Sequence, residues 1–277
     1  MAADPIRFIR DCPALLIADS VKGRKRRILV VADVHLGFEH ELFKAGIVIA
    51  PQADKFQGDF SRLIRTTKAD TLVIVGDIKH KVPGTSFREL KEVPKLLESL
   101  TEKVKVILVK GNHDDFIEQI VPASVKVFGS RGFRLKGKEC SYGFFHGHAW
   151  PGKQLMQCDY LFMGHSHPGI EFKDSFGFRI VEPVWVKGRL DEKLVRKKYK
   201  MGPEEKGAKG KKEKLEKLGE LQTIIMPTFN PIMGSIALNQ KRREYIGPLL
   251  YSRTFDVADA VAYMLDGTEL GKIKKLM

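Results

Sequence analysis

Histidine is the residue type whose placement in this sequence points most directly to chemistry. All eight histidines lie between residues 35 and 167, and half of them stand directly beside Asp, Asn or Gly. A single histidine is usually structural or merely exposed, whereas eight confined to one stretch indicate a shared site. Imidazole, carboxylate and amide oxygen together suit Mn²⁺, Fe or Zn²⁺, and a set without thiolate argues against a structural zinc site.

The polar residues around these histidines form five short motifs, and each motif follows a run that is typical of a strand. Chemistry in open α/β sheets is placed at the carboxyl ends of strands. Alternate residues of an extended segment point the same way, so Asp33 and His35 could reach one metal. The two carboxylate oxygens of Asp77 could bridge two cations, which would clamp a phosphoryl group and lower the pKa of a water molecule between them. The motifs are Asp33-Val34-His35, Gly76-Asp77, Gly111-Asn112-His113-Asp114, His146-Gly147-His148 and Gly164-His165-Ser166-His167.

Three apolar, strand-like runs must position the first three motifs. They cover residues 27–32, 71–75 and 104–109, and each ends one or two positions before a motif begins. Helix-like patterns at 50–66 and 89–100 separate them, and Pro94 could kink the second helix. This alternation predicts βαβ units and a largely parallel central sheet.

The texture of the sequence changes after residue 120, where short alternating runs replace the helices. They lie at 125–128, 133–135, 141–145 and 160–163, and a further strand pattern follows at 221–226. We therefore expect an α/β fold in which two sheets pack face to face as a β-sandwich flanked by helices. Residues 258–273 read as a hairpin with a type I′ turn at Asp266-Gly267. The whole chain, 1–277, is predicted to form a single domain.

The composition favours a globular protein of a reducing compartment. Apolar residues make up 43% of the chain, which is enough for a core, and the longest apolar runs are too short to span a bilayer. The first residues lack the pattern of a secretory signal. The three cysteines, an odd number without a C-x-x-C pair, argue against a disulfide framework. We expect a cytoplasmic protein that does not bind membranes.

The formal net charge of +14 predicts attraction to anions, of which nucleic acid is the commonest large one. A thermophile-like abundance of charged residues is the alternative explanation. Residues 187–220 contain 13 Lys and Arg against 7 Asp and Glu, a net charge of 13 − 7 = +6. We predict that this segment is a basic, mobile insertion, which could bind nucleic acid or serve only as a soluble linker.

The series D-x-H, G-D, G-N-H-D, H and G-H-x-H, in this order, resembles the calcineurin-like metallophosphoesterases over roughly residues 27–170. The resemblance implies the metallophosphoesterase fold and a pair of divalent cations. It also implies that Asp77 bridges both cations. The remaining ligands implied for the first metal are Asp33, His35 and His167, and those for the second are Asn112, His146 and His165.

The same resemblance implies roles for residues that are not ligands. His113 would face the substrate phosphate and stabilise charge or protonate the leaving oxygen, and Asp114 would orient His113. His146 and His148 compete for one ligand position, and His146 is favoured because the family usually uses the first histidine of an H-G-H motif.

A narrower resemblance rests on residues 33–39, 76–81 and 227–231. These segments resemble the archaeal SbcD-related predicted phosphoesterases, and they are similar to a bacterial phosphoesterase associated with a DNA ligase and a helicase in repair. In the related nuclease branch, a histidine at the position of His80 supports the catalytic one, so His80 is expected to be a second acid/base group. Its alternative role is a hydrogen bond to a loop carbonyl. The run 227–231 could rim the active site or be only a rigid turn.

Three functions are compatible with these features. The first is a metal-dependent nuclease or phosphodiesterase of DNA repair, which binds DNA or RNA without reading its sequence and uses two Mn²⁺ ions, with Fe, Ni and Zn as alternatives. The second is a phosphodiesterase or phosphatase of small nucleotides. The third is a non-catalytic scaffold like the retromer phosphoesterase-like subunit, and the presence of His113 and every implied ligand argues against it.

Overall fold

The computed structural model of the protein describes residues 5–201, 220–240 and 245–277, and its first layer is a six-stranded sheet. The strands lie in the order β1-β2-β3-β4-β5-β6, and the pairs from β3 to β6 are parallel. This confirms the predicted parallel centre. The antiparallel strands β1 and β2, which were not predicted, extend the sheet at one edge. The strands are β1 (Ile6–Phe8), β2 (Ala14–Val21), β3 (Arg24–Val31), β4 (Thr71–Val75), β5 (Lys105–Val109) and β6 (Lys126–Phe128).

Helices follow the first two parallel strands and cover the outer face of this sheet. They are α1 (Phe38–Lys44), α2 (Ala53–Thr67) and α3 (Phe87–Thr101). The apolar face predicted for α2 is the buried one, because Phe56 and Phe60 are fully buried against the sheet. Pro94 lies inside α3, which continues to Thr101. The short helix α1 was not predicted.

The second layer is a nine-stranded sheet, which confirms the prediction of a second sheet after residue 120. Its main path runs β13-β10-β11-β12-β9-β8-β7, and β14 pairs with both β11 and β15. The long β10–β11 hairpin was not predicted. The strands are β7 (Phe133–Lys136), β8 (Ser141–Phe145), β9 (Tyr160–Met163), β10 (Pro168–Lys173), β11 (Arg179–Arg189), β12 (Gln222–Ile225), β13 (Ile236–Ala237), β14 (Val261–Met264) and β15 (Glu269–Lys272).

The two sheets pack face to face through a shared apolar core. Val30 and Val73 of the first sheet contribute to it together with Phe144 and Trp185 of the second. The outer face of the second sheet is covered by α4 (Glu192–Lys198) and α5 (Pro248–Tyr251), which belong to another core cluster. The molecule is therefore a two-sheet α/β sandwich flanked by helices, as the sequence predicted.

Two predictions need correction. Residues 187–189 complete β11 and residues 192–198 form α4, whose Val195 is fully buried, so the prediction of a mobile insertion is wrong over this part. The remainder of that segment at 202–219 lies outside the described residues. The C-terminal hairpin exists as β14–β15, but residues 265–268 connect its strands, a longer loop than the predicted two-residue turn.

Among the described residues, no helix combines the length and apolar character that crossing a bilayer requires.

Candidate metal centre

The side chains of the five motifs converge where the carboxyl ends of the strands in both sheets meet. Asp33, Asp77 and Asn112 follow β3, β4 and β5, which run parallel. His146 follows β8, and His165 follows the parallel neighbour β9. The carboxyl ends of β3 in the first sheet and β9 in the second meet here, so Asp33 and His165, which are 132 positions apart, come into hydrogen-bond contact.

The first group of ligand atoms belongs to Asp33, His35 and His167, which all lie within 4.8 Å of one another. Asp33 Oδ1 lies 3.5 Å from His167 Nε2. Burial opposes the charge on Asp33, yet the nearby His167 holds the pKa of this carboxyl below its ordinary value. Burial lowers the pKa of His35 to about 3, so its imidazole is neutral at neutral pH, the form that binds a cation.

The second group consists of Asp77, His146 and His165, again within 4.8 Å of one another. His146 Nδ1 lies 3.0 Å from the carbonyl oxygen of Val75, which can only accept a hydrogen bond. The proton of neutral His146 is therefore on Nδ1, and Nε2 faces Asp77 Oδ2 at 3.1 Å and Asn112 Oδ1 at 3.2 Å. Although burial opposes it, the Asp77 carboxylate raises the pKa of His146 to about 9, so a cation must displace a proton from this ring.

His148, the alternative to His146, lies beside this group with its ring 5.3 Å from that of His146. Burial lowers the pKa of His148 to about 4. Its Nδ1 is buried without a hydrogen-bond partner, but Asp77, His146 and His165 form the compact set. The geometry thus favours His146 as the ligand.

Asp77 joins the two groups through a single oxygen atom. Its Oδ2 lies 3.6 Å from His35 Nε2 and 3.1 Å from His146 Nε2. Burial opposes ionisation, but the neighbouring His146 holds the pKa of Asp77 far below its ordinary value. Burial also lowers the pKa of His165 to about 4, so this ring is neutral at neutral pH.

Most of the candidate ligands occupy the left-handed backbone region. Each such residue costs about 1–2 kcal/mol relative to ordinary backbone, and strain of this kind clusters at functional sites. The φ angles are 58° for Asp33, 44° for His35, 50° for Asp77, 69° for His165 and 39° for His167. The neighbouring backbone is equally constrained, since a Cβ atom on Gly76 would collide with the His146 ring.

His113 and His80 lie beside the two ligand groups and contact each other. The backbone N–H of His113 donates to Asp77 Oδ1 at 2.8 Å, while its ring Nδ1 contacts the carbonyl oxygen of His80. The ring of His80 turns to the metal side, with its Nδ1 3.3 Å from His35 Nδ1. His80 thus combines a main-chain contact to His113 with a side-chain contact to the candidate ligand His35.

Asp114 does not orient the His113 ring, and this prediction is wrong. The ring partner is the His80 carbonyl, and the fully buried Asp114 carboxylate accepts hydrogen bonds from backbone N–H groups. The donors are Asp77 at 2.8 Å, Ile78 at 3.0 Å and Gly111 at 2.9 Å. The turns after β4 and β5 leave these groups unpaired, so Asp114 ties the two turns together. Burial, with Asp77 nearby, raises the pKa of Asp114 to about 6.

The loop after β12 supports the first motif, a role that the sequence left open. Thr228 Oγ1 donates to the Asp33 carbonyl at 2.8 Å, and Asn230 Nδ2 donates to the Val34 carbonyl at 3.0 Å. Both side chains are buried.

Glu89 was missed as a site residue, although the Ser86-x-x-Glu89 capping-box pattern could have drawn attention to it.

The residues present fit a pair of divalent cations. His35 Nε2 is a buried nitrogen without a hydrogen-bond partner, and it lies between the Asp33 and Asp77 carboxylates as a ligand atom would. The two buried carboxylates supply negative charge that cations would neutralise, and the mixed nitrogen and oxygen donors suit borderline metals. The arrangement can hold two cations that share Asp77, with His113 at their edge.

Comparison with known proteins identifies a family and structural neighbours for this chain. Residues 26–191 match the family model described as calcineurin-like phosphoesterase. The nuclease MPE of Pseudomonas putida has 17% sequence identity and a TM-score of 0.50, with 92% of this chain and 100% of that chain covered. The phosphoesterase Yfce of E. coli has 18% identity and a TM-score of 0.35, with 53% and 74% covered. A predicted phosphoesterase of Streptococcus pneumoniae TIGR4 has 11% identity and a TM-score of 0.33, with 88% and 92% covered. A search of curated proteins found no match.

Proposed function

The chain belongs to the calcineurin-like phosphoesterase family, and from this premise we propose that it is a two-metal phosphodiesterase that cleaves nucleic acid. The family uses divalent metals to hydrolyse phosphate esters, and the described residues include groups that could bind such ions. The choice of a diester, of nucleic acid and of two Mn²⁺ ions is our proposal.

The shared position of Asp77 Oδ2, 3.6 Å from His35 Nε2 and 3.1 Å from His146 Nε2, carries this proposal. One carboxylate oxygen shared by two sets of imidazole and oxygen donors is the arrangement that a pair of cations requires. Such cations, when bound, would polarise the phosphoryl group and activate water for attack. The residues that would hold them are Asp33, His35 and His167 on one side, Asn112, His146 and His165 on the other, and Asp77 between.

His113 is the residue that we expect to act on the leaving oxygen. Its Nδ1 contacts the His80 carbonyl, so the ring proton on that side is committed to a hydrogen bond. The opposite nitrogen, Nε2, is then the atom available to the substrate, and it can stabilise charge or protonate a leaving group when the ring carries a second proton as the imidazolium. Its main chain is fixed on Asp77 Oδ1, which keeps the ring beside the metal groups.

Two features support nucleic acid as the substrate. The net charge of +14 favours a polyanion. One exposed phenylalanine comes after each of the strands β3, β4 and β5: the side chains of Phe43, Phe87 and Phe116 are 60%, 85% and 63% exposed. Exposed aromatic rings can stack on unpaired bases. The Pseudomonas putida neighbour is a nuclease, although at 17% identity its likeness shows the fold alone. A role in DNA repair, the narrower SbcD-related kinship and a cytoplasmic location belong to the same proposal.

The test is a metal-dependence assay on chelator-stripped protein with Mn²⁺, Ni²⁺, Mg²⁺ or Zn²⁺. The substrates are a bis-aryl phosphodiester, an aryl phosphomonoester and labelled single-stranded DNA and RNA. We expect cleavage of the diester and of nucleic acid, loss of both in Asp77→Ala, and full activity in Asp266→Ala, whose carboxylate lies in the exposed β14–β15 turn. Activity on the monoester or on small cyclic diesters alone would replace nucleic acid by small nucleotides.

His113→Ala separates chemistry from metal binding. We expect this variant to retain two metal ions per chain and to lose turnover of the diester. Loss of a metal ion in His113→Ala would make His113 a ligand and would contradict its assigned role. Two bound metals in the wild-type protein without activity on any substrate would favour a non-catalytic scaffold.

A further inference from the structure

The buried carboxylate of Glu89 grips the main chain of the loop that carries His80. Glu89 lies in the first turn of α3 and is 1% exposed. Its Oε1 accepts from the backbone N–H groups of His80 at 2.8 Å and Lys81 at 2.6 Å. Its Oε2 accepts from the backbone N–H and the hydroxyl of Ser86, both at 2.6 Å. One side chain therefore fixes both ends of the loop 80–86.

A fully buried lysine fixes the middle of the same loop. Lys79 Nζ donates to the carbonyl of Lys81 at 2.7 Å and to that of Gly84 at 2.6 Å. Burying an ammonium group is costly unless its donors are paired. Two buried ionisable side chains, Glu89 and Lys79, therefore hold the backbone of one short loop in place, which indicates that the position of this backbone serves the site.

The backbone position matters because the carbonyl of His80 contacts His113 Nδ1. A carbonyl can only accept, so this contact selects the tautomer of neutral His113 with the proton on Nδ1. His35 makes a parallel demand, since binding a cation through Nε2 places its own proton on Nδ1, 3.3 Å from His80 Nδ1. Correct placement of His80 thus serves both a candidate ligand and the candidate acid.

We propose that Glu89 is a positioning residue that fixes the orientation and tautomer of His113 through the main chain of His80. This inference rests on the proposed function for the role of His113, but the tautomer itself can be measured without turnover. Glu89 also completes the capping box of α3 with Ser86, and a purely structural role in the helix is the explanation to be excluded.

Three variants separate these roles. Glu89→Gln replaces one of the carboxylate oxygens by an amide donor and cannot satisfy both ends of the loop. Ser86→Ala removes the N-cap hydroxyl and leaves the contacts of Glu89 to His80 and Lys81. His80→Ala keeps the main-chain carbonyl and removes only the imidazole. Should Glu89→Gln fail to fold, Glu89→Asp tests the same contact, because it keeps the charge but withdraws the oxygens by one methylene.

The experiment uses ¹⁵N-histidine NMR of the Zn²⁺-loaded protein, together with the pH profile of kcat for the bis-aryl diester and the metal content. We expect a protected Nδ1–H signal of His113 in the wild type, in Ser86→Ala and in His80→Ala, and its loss in Glu89→Gln. We also expect Glu89→Gln to retain both metals while kcat falls by about 10–100-fold and the acidic branch of its profile shifts. The proposal is overturned if Glu89→Gln retains the Nδ1–H signal of His113 and has a kcat within about twofold of that of Ser86→Ala. It is also overturned if the wild type lacks this signal. A normal signal in a wild type that hydrolyses no substrate refutes the proposed function instead.

Discussion

The side-chain amide of Asn230 donates to the carbonyl oxygen of His35 at 3.3 Å, although the two residues lie 195 positions apart. The same amide donates to the carbonyl of Val34, and Thr228 holds the carbonyl of Asp33. The loop after β12 of the second sheet therefore holds the backbone of the strained motif 33–35, which follows β3 of the first sheet, through these hydrogen bonds. The family match ends at residue 191, so this support lies outside the matched region.

Asn230→Ala should weaken metal binding without removing any ligand. The change leaves the carbonyls of Val34 and His35 without their buried donor, which costs about 1–3 kcal/mol, and it frees the left-handed backbone at His35 to relax. We expect metal affinity, measured by calorimetry, to fall by about 10–100-fold. Asn239→Ala is the matched control, because Asn239 Nδ2 also donates to two carbonyls, those of Glu171 and Leu276. Equal losses in both variants would show a general effect on stability.

Gly76→Ala should disrupt the second ligand group, whereas Gly23→Ala should not. Both glycines have left-handed backbones, with φ of 84° and 76°. A Cβ atom on Gly76 would enter the space of the His146 ring, but one on Gly23 would meet open space. In each variant, alanine in the left-handed backbone region lowers the stability of the fold by about 1–2 kcal/mol. Only Gly76→Ala should also lose one metal ion per chain, as measured by elemental analysis. Two metals in Gly76→Ala would show that the His146 ring can move without consequence.

Metal ions should stabilise the fold. A ligand that binds only the native state adds about 2.7 kcal/mol at a concentration 100 times its Kd, which corresponds to roughly 5–10 °C for a chain of this size. We expect Tm to fall by this amount on chelation and to recover when Mn²⁺ is added. Asp33→Asn should respond less, because it removes charge from the first group, while Asp266→Asn should respond like the wild type. An unchanged Tm in the wild type would mean that the site is empty or binds weakly.

The candidate site could be located from the sequence because its ligand types come within a few residues of the ends of apolar strands, as Asp77 does after β4. It could not reveal the left-handed backbone of Asp33 and His35, nor the support from Asn230 and Glu89, because these depend on contacts between distant segments. Asp114 shows the same limit. Because Asp114 is next to His113 in the sequence, it was predicted to be the hydrogen-bond partner of that ring. In the structure its carboxylate instead accepts hydrogen bonds from backbone N–H groups of two turns.

The missed strand β2 has a similar physical cause. Its apolar run is interrupted by Asp19 and Ser20, a pattern that resembles the end of a strand. Asp19 is nevertheless buried, because Tyr142 of the other sheet, 123 positions away, supplies a hydroxyl donor. The β10–β11 hairpin escaped prediction because Phe176 and Phe178 at its tip are exposed and give no alternating pattern.

Asp19 should make the stability of the sandwich depend on acidic pH. Its carboxylate accepts from the Tyr142 hydroxyl at 2.8 Å and from the backbone N–H groups of Lys138 and Glu139, both at 3.2 Å, so it joins β2 to the β7–β8 turn. Burial opposes the charge, but the hydrogen bonds from Tyr142 and from backbone N–H groups such as that of Glu139 lower the pKa of Asp19 below its ordinary value. Since the folded pKa lies below the unfolded value of about 4, the stabilisation is complete above pH 4 and disappears as the pH falls through the folded pKa.

Asp19→Asn should therefore lower the free energy of unfolding by about 1–3 kcal/mol at pH 7, and the difference from the wild type should shrink below about pH 4. Urea unfolding of both proteins at pH 7, 5 and 3 measures this difference, in which the other acidic groups cancel. Asp174→Asn is the control, because its carboxylate accepts from backbone N–H groups only within the exposed β10–β11 turn, and a loss below about 0.5 kcal/mol is expected there. A difference for Asp19→Asn that stays constant down to pH 3 would mean that its shape, and not its charge, holds the two sheets together.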